Sequence, residues 1–585
     1  MQQLRKLRDG LLQQEILLLQ EAGYSVTGHE SSDGKLWELT VVAPEEKTGI
    51  QPLTLSITLP DSYPLLPPRV IARDLAMGHH QHPFSNELCL IERSTQNWIP
   101  EWHLAGLLDN QLKRAIAAGR AAHGQGTDGF EQGEPYSAYY DYTEPAGFLI
   151  DSSRIAVPIG CSGELEGSFI DPGGPGTRLL IVLDQLWRGA ESVYEAPATL
   201  HRAFGPHQPL NLRGRWVSLG EPPRTSDPQE IWRIAAAADP QKPRLVQLPN
   251  TASFEIRLVG FPEEHGPETL GMGWILVLKK AGGISSKKSG KRGRPMPVKT
   301  ADSYNLVRAY RAGHSDLAFR SPETKGLEKK QVAVLGCGAI GSVLVEQLAR
   351  AGVGTFHLVD QDTLEPGNLS RHAGGLDTIC MDKSSAMAQR ISQINPYANA
   401  IPRKFHIGLP TLLDGRSETD VLTEIINTVD MVIDATAEVG VQQYTSLLAR
   451  DLATSWVALD ATPGIGGGSV IKIDAESEIC FGCFQWHQHT GSIPEAPAVE
   501  GELVQPVGCA SPTFTGTGFD LSVIALQAAR VVVGALMRPE TGGYPDDGHD
   551  AHILTLRRPD GTPVPPQWQG FPVSRHPKCG NHEKW

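Results

Sequence analysis

Cysteine is scarce in this chain, with eight residues in 585, too few for a disulfide scaffold of that length. Each cysteine is therefore read as a thiol, a metal ligand or a nucleophile in a reducing compartment. Positive charge is also in deficit. Fifty-two Lys and Arg stand against 66 Asp and Glu, a formal net charge of −14, which argues against a nucleic acid or an anionic membrane as the main partner. No run of about 18 apolar residues, the length needed to cross a bilayer, is evident. The most apolar late stretch, Leu521 to Met537, is interrupted by Gln527 and Arg530 and reads as a packed helix. The opening MQQLRKLRDGLLQQEILLLQEAG has neither the uninterrupted apolar core nor the small-residue cleavage site of a secretory leader. Its leucines recur at helical spacing, so an amphipathic helix in a cytoplasmic protein is expected. No internal repeat is visible.

What is present is ordinary for a folded protein: 40% hydrophobic and 20% charged residues. A chain this long outgrows a single hydrophobic core, so two to four domains are expected. Three textures follow one another. Residues 1–125 carry strand patterns around Leu36–Val42 and Leu53–Leu59 and a helix pattern after Trp102. Residues 126–300 open with a polar connector, continue in short apolar runs such as RLLIVLDQLW, FEIRLVGF and WILVLKK, and end in the basic stretch SSKKSGKRGRPMPVK. They read as a β-rich spacer domain without a chemical motif, closed by a solvated loop. Residues 301–585 alternate strands and helices in the manner of a doubly wound α/β domain.

The segment QVAVLGCGAIGSVLVEQLARAGVGTFHLVDQD carries the clearest chemistry. An apolar strand runs into Gly336, Gly338 and Gly341, then a helix, then a second strand ending at Asp360. Glycines at that spacing let the backbone approach a phosphate at the helix N-terminus, and the acid suits ribose hydroxyls. Periodicity alone leaves NAD and ATP equal. The run DQDTLEPGNLSRHAGG, with Lys383 a dozen residues later, then breaks the tie. It resembles the ThiF/MoeB and ubiquitin-activating adenylyltransferase family, whose motif reads D-x-D-x-V-x-x-x-N-L-x-R-Q. The resemblance implies ATP as the nucleotide, with Asp360 on the ribose and Asn368, Arg371 and Lys383 on the phosphates. Cations at those positions suit the chemistry, because transferring AMP onto a carboxylate concentrates negative charge on the polyphosphate and the departing pyrophosphate. The family also implies a magnesium-binding aspartate after the strand MVIDATAE, but Ala437 stands there, between Asp434 and Glu438. Asp434 is the candidate for the Mg2+ role.

Cys480-x-x-Cys483 and, about a hundred residues later, Cys579-x-x-His582 supply two pairs of soft ligands. Four such ligands suit a closed, structural Zn2+ site, and the same family carries paired C-x-x-C motifs at these places. His576 is an alternative to His582. Between the pairs lies PVGCASPTFTGTG, a loop composition suited to an exposed thiolate. Ubiquitin-activating relatives place their catalytic cysteine in this region, which makes Cys509 the candidate nucleophile. Cys380, near Lys383, is the alternative. Cys337, inside the glycine turn, reads as a packing residue, and Cys161 has no supporting context.

The first region reads TLSITLPDSYPLLPPRVIARDL and then HHQHPFSNELCLIERSTQNWIPEWHLAGLLDNQLKRAI. Tyr63, Pro64, Pro67, Pro68, His82, Pro83, Cys89, Leu90, Trp98 and Pro100 match the core pattern of ubiquitin-conjugating enzymes, which this region resembles over roughly residues 1–120. The resemblance implies an α+β conjugating fold with Cys89 as its thioester-forming nucleophile. The family's H-P-N asparagine, which stabilises the oxyanion during amine attack, is replaced by Phe84. Asn86, His79, His80 and His82 are the candidate donors in its place.

Joined on one chain, the two halves imply a relay. ATP activates a protein's C-terminal carboxylate, a glycine by preference. Cys509 takes the acyl group, Cys89 receives it by transthiolation, and a target lysine accepts it. Bacterial fusions of this order occur in CBASS antiphage operons, and the whole chain resembles them. That resemblance implies a CD-NTase as the activated protein, a JAB-type protease that reverses ligation, and a homodimer through the adenylation domain. The same relay acting on a ubiquitin-like protein, a ThiF-like sulfur-carrier adenylyltransferase and a non-catalytic tail-binding scaffold remain open at this point.

Overall fold

The computed structural model describes residues 10–32, 36–91, 98–120, 135–155, 157–172, 178–204, 210–247, 253–266, 269–282, 284–288, 295–299, 301–408, 415–499, 503–504 and 513–582. The chain divides into two compact units, one of Met1–Glu195 with Pro209–Arg311, the other of Ala196–Gln208 with Ala312–Trp585.

Among the described residues the first unit holds two large sheets and a separate two-stranded pair. Helix α1 (Leu11–Glu21) precedes an antiparallel meander of β1 (Ser25–Ser32), β2 (Leu36–Ala43), β3 (Leu53–Leu59) and β4 (Arg69–Ile71). In β3 the residues Leu53, Leu55, Ile57 and Leu59 are buried and their neighbours are not, the period of two that one covered face requires. Helix α2 (His103–Arg120) supplies the cover with Leu104, Leu107, Leu108, Leu112 and Ile116, a stripe at helical spacing. A carboxylate sits inside this core. Glu15 of α1 has no exposed surface; its Oε1 accepts from the Tyr63 hydroxyl at 2.6 Å and lies 2.8 Å from His103 Nδ1, and its Oε2 accepts from the Leu104 amide at 2.8 Å. The glutamate thereby ties the Tyr-Pro segment to the start of α2. Replacing Glu15 with alanine orphans three buried or half-buried donors and is expected to destabilise this sheet by about 3 kcal/mol. Urea unfolding followed by Trp98 fluorescence checks it, because the Trp98 indole donates to the Pro64 carbonyl at 2.8 Å and reports on the same segment.

The second sheet has nine strands. They are β5 (Ala146–Ile150), β6 (Ser162–Pro172), β7 (Leu179–Arg188), β8 (Glu191–Glu195), β9 (Leu210–Ser218), β10 (Val246–Gln247), β11 (Ser253–Gly266), β12 (Thr269–Lys280) and, beyond the separate pair β13 (Ile284–Lys288) and β14 (Pro295–Lys299), β15 (Ser303–Arg311). A short helix between β8 and β9, α3 (Ala198–Arg202), belongs to the other unit, whereas α4 (Pro228–Ala238) packs on β11, β12 and β15. Strand β15 pairs antiparallel with β12 and parallel with β5. The boundary that the sequence texture puts at 300/301 therefore falls inside this sheet's domain, and the chain passes to the next unit after Arg311. The reason is long-range pairing, which local texture does not carry.

The second unit is the doubly wound domain. Strands β16 (Gln331–Leu335), β17 (Thr355–Asp360), β18 (Asn399–Lys404), β19 (Met431–Asp434) and β20 (Ser455–Ala461) are parallel in the order β18-β17-β16-β19-β20, and β21 (Gly467–Ile473) extends them antiparallel. Helices α5 (Ala339–Ala351), α6 (Lys383–Ile394), α7 (Glu418–Ile426), α8 (Val439–Asp451) and α9 (Phe481–His489) are interspersed. Two-residue strands β22 (Leu503–Val504) and β23 (Thr513–Phe514) pair with each other. After α10 (Gly518–Met537), β24 (Ala551–Arg557) and β25 (Pro563–Phe571) complete the eight-stranded sheet. By length and composition alone α10 passes for a membrane span. Its Leu521, Ile524, Ala525, Ala528, Val531 and Val532 are nevertheless buried in the core against α5 and the sheet. The strand order reverses between β16 and β19, and a crevice at such a switch point is where open α/β sheets bind ligands.

Candidate functional site

At the end of β16, Gly336 has φ +89°, a left-handed backbone, and a Cβ there would come within 2.8 Å of the Ala435 carbonyl oxygen. A Cβ on Gly341 would lie 2.0 Å from the Gly336 carbonyl oxygen. These two glycines let the turn close, while Gly338 faces open space. The turn opens onto a cleft of about 630 Å³. Its apolar wall is Phe405, Ile407 and Val441, and its polar groups include Asp360, Asp362, Lys383, His406, Thr436 and Glu438. Asp360 Oδ2 accepts from the Cys337 amide at 2.7 Å and Oδ1 from the Asp362 amide at 2.8 Å. Burial pushes its carboxyl above the usual range, against the pull of those amides and of Lys383. Asp360 therefore clamps the glycine turn as well as lining the cleft. Lys383, the first residue of α6, brings Nζ to 2.7 Å from Asp362 Oδ2. A cation held between an acid and a phosphate-sized crevice is suited to polyphosphate.

Asn368 and Arg371 lie on the segment between β17 and α6, outside the residues lining the cleft. Asn368 Oδ1 accepts from the Glu365 amide at 2.9 Å, closing a short turn. Asp434 also lies off the cleft. It is wholly buried; Oδ1 accepts from the Thr436 hydroxyl and Oδ2 from the Thr445 hydroxyl, both at 2.6 Å, and burial pushes its carboxyl up. A carboxylate so engaged is an anchor beneath the site. Glu438 is the acid of this segment that reaches the cleft, on the far side of Ala437, whose φ is +58°. Sequence reasoning passes over the Phe405–Ile407 wall, Thr436 and Val441. Apolar residues just past a strand resemble any core sequence, so no local signal marks them.

Cys480, Cys483, Cys579 and His582 converge, their ligand atoms all within 4.8 Å of one another. Cys480 Sγ lies 3.9 Å from Cys483 Sγ, 3.5 Å from Cys579 Sγ and 3.4 Å from His582 Nε2, and Cys483 Sγ is 3.0 Å from that nitrogen. Ligands on a tetrahedral zinc stand roughly 3.4–3.8 Å apart, so three thiols and an imidazole in this cluster fit the ion. His576 is turned elsewhere. Its ring stacks on Trp486, with centroids 5.5 Å apart and planes at 5°.

Cys509 lies outside the described residues. The strands on either side of it, β22 and β23, pair with Leu503 opposite Phe514 and Val504 opposite Thr513. Cys380 is exposed with φ +68°, Cys337 is fully buried with its thiol pushed up by that burial, and Cys161 is half-buried.

In the first unit, Cys89 is exposed at the end of a closed loop. Its amide donates to the His80 carbonyl at 2.8 Å, the His82 amide to the Glu87 carbonyl at 2.8 Å, and the Asn86 amide to the His82 carbonyl at 2.9 Å. Gln81, buried, donates to the Ala72 and Leu75 carbonyls and accepts from the Met77 amide. Of the candidate donors, His82 turns Nδ1 to the Phe84 and Ser85 amides, both at 3.2 Å, as an acceptor. His79 Nε2 faces Glu264 Oε1 at 3.4 Å. Phe84 packs against Tyr136 and Tyr140 of the following segment.

Comparison with known proteins finds a match in each half of the chain. Residues 314–555 match the ThiF family and residues 24–149 match Prokaryotic E2 family B. Protein y4oA of Sinorhizobium fredii is 27% identical over 606 aligned positions, covering 97% of this chain and 96% of that one. The ATP-dependent ubiquitin transferase-like protein Cap2 of Enterobacter hormaechei is 26% identical, covering 48% of this chain and 47% of its own. The Cap2 protein of Vibrio cholerae is 32% identical, covering 28% and 27%. A ThiF-type adenylation domain and an E2-type domain on one chain, with relatives of that kind, make this a fused ubiquitin-activating and ubiquitin-conjugating type of enzyme, an adenylyltransferase and acyl transferase resembling Cap2.

Proposed function

We propose that the chain activates a protein's C-terminal carboxylate with ATP and passes the acyl group through Cys509 and Cys89 to an amine. A carboxylate oxygen attacks the α-phosphorus of ATP and pyrophosphate leaves. The Cys509 thiolate then attacks the acyl carbon and AMP leaves. The Cys89 thiolate takes the acyl group in a nearly isoenergetic exchange, and a lysine amine forms the final amide while releasing that thiolate. The observation that carries this reading is the pairing, on one chain, of a switch-point cleft holding Lys383 and Asp360 with an exposed Cys89 on a conjugating fold. In the cleft, Phe405, Ile407 and Val441 offer a wall for the base, and Lys383 faces the phosphates. Magnesium, when bound, would neutralise phosphate charge, with Glu438 rather than Asp434 as the acid available to it. Zinc would be held by Cys480, Cys483, Cys579 and His582 as a structural brace. A terminal glycine is the carboxylate we assign, as the residue with no side chain to accommodate. Given the Cap2 relatives, we assign the activated protein as a CD-NTase in antiphage defence, the deconjugating partner as a JAB-type protease, and the assembly as a homodimer through the adenylation domain in the cytoplasm. A ubiquitin-like protein is the competing substrate, and each can be offered to the enzyme separately.

ATP–pyrophosphate exchange tests the first step. Lys383→Ala is expected to lower the exchange rate roughly a hundredfold, the usual effect of removing a group that stabilises developing charge. An unchanged rate would remove Lys383 from the phosphate site. No exchange by the intact enzyme with any glycine-terminated partner would favour a tail-binding scaffold.

A further inference from the structure

The β-rich domain between the two catalytic halves lacks a motif, yet it reaches the conjugating loop. Phe84, at the position of the family asparagine, sits 5.3 Å from the Tyr140 ring and 5.8 Å, edge-on, from Tyr136. Behind them lies Phe261 of β11, 6.0 Å from Tyr140 and 6.5 Å from Tyr136. Separations of this size, edge-on or tilted, are attractive for aromatic rings. His82 adds a second contact, edge-on to Tyr139 at 4.9 Å.

The socket is itself braced. Ser137 donates its amide and hydroxyl to Glu263 of β11 at 2.7 and 3.0 Å. The Tyr140 hydroxyl donates to the Pro223 carbonyl at 2.7 Å, and that of Tyr142 to the Ser137 carbonyl at 2.5 Å. Residues 136–142 are thus fastened to the sheet and present a fixed surface. From Phe84 the path to the nucleophile is short. The Phe84 amide donates to the His82 ring, the His82 and Asn86 backbones bond within the loop, and the Cys89 amide is tied to His80.

We infer that Phe84 is a positioning residue: it plugs the conjugating loop into an aromatic socket of the β-rich domain, and that domain thereby fixes the orientation of Cys89. The inference deepens the proposed relay and rests on it for the role of Cys89. The asparagine common in conjugating enzymes would be a poor occupant here, because an amide among aromatic rings loses water without gaining partners. Restoring the family residue should therefore impair the enzyme.

The experiment uses the full chain with Phe84→Asn, Phe84→Tyr and Phe84→Leu. Phe84→Asn is expected to slow acyl transfer from Cys509 to Cys89 at least roughly tenfold, since small displacements of reacting groups carry costs of that order. ATP–pyrophosphate exchange should stay within twofold of wild type. Phe84→Tyr, which keeps the ring, should restore transfer, and Phe84→Leu should fall between. Two readouts need no relay: alkylation of Cys89 by iodoacetamide should change, and amide hydrogen exchange at residues 82–89 should accelerate, in Phe84→Asn but not in Phe84→Tyr. If Phe84→Asn transfers as fast as wild type and leaves both readouts unmoved, the inference is wrong. If wild type forms no adduct on Cys89 while loop exchange and alkylation still respond as stated, the anchor stands and the relay fails. Loss of the unfolding transition of this unit in Phe84→Asn and Phe84→Leu alike would make Phe84 a fold residue and overturn the positioning role.

Discussion

Cys89→Ala is expected to abolish amine conjugation while leaving a reducible acyl adduct on the activating domain, the largest effect expected of any single substitution. The argument starts from what alanine removes. In the proposed relay the thiolate is the acceptor of the transthiolation step, and nucleophile deletion in covalent catalysis costs on the order of a thousandfold or more. Cys89 is exposed, so the substitution opens no cavity and the fold should persist. Non-reducing gels of enzyme, ATP, magnesium and a glycine-terminated partner give the readout. Cys509→Ala should remove all adducts, because it stands upstream. If Cys89→Ala still conjugates, the first unit is not in the reaction path and a sulfur-carrier reading becomes preferable. If Cys509→Ala retains adducts, Cys380 is next in line.

The second large effect concerns the metal cluster. Cys480→Ser, or treatment with a strong chelator, is expected to lower the stability of the adenylation domain by about 4 kcal/mol, a shift of roughly 10 °C in its melting temperature. Cys480 opens helix α9, and Cys579 and His582 belong to the chain that follows β25. A zinc ion held by these four residues would fasten segments about a hundred residues apart, and without it three thiols would be left crowded together in a buried place. Bound zinc, measured by mass spectrometry of the intact protein, should be stoichiometric in wild type and in His576→Ala. It should fall in His582→Ala. Equal zinc content in His582→Ala and wild type would refute the ligand set, and an unshifted melting curve after metal removal would refute the bracing role.

The contrast between these two sites shows what a linear sequence carries. Cysteine and histidine pairs at ligand spacing point to residues that meet in space, as Cys480, Cys483, Cys579 and His582 do, and the turn from Gly336 to Gly341 follows from backbone sterics within a few positions. Asp434 shows the opposite case. Its place at the end of an apolar strand suits a metal ligand, but the hydroxyls of Thr436 and Thr445 capture both oxygens, and one of those partners arrives from a different element. Phe84 is similar. Its identity reads as a missing catalytic group until rings from residues 136 and 140 are brought beside it. Strand β15 escapes the texture boundary because its partners, β5 and β12, are set by pairing across the sheet. Local chemistry was legible; choices made by distant neighbours were not.

The excursion between β8 and β9 bears on how such a chain can be cut and rejoined. Residues 196–208 leave one unit to join the other, and α3 within them packs on α6, whose first residue is Lys383. The backbone thus crosses between units after 195, after 208 and after 311. Neither half is a cassette. A fragment starting at residue 312 would strip the Lys383 helix of its contact with α3 while keeping its packing on α5, β17 and β18, and recombination at any single point would divide one unit. On this topology the two units are interleaved along the backbone, and an exchange that keeps both whole must carry the chain from 1 to 585 together.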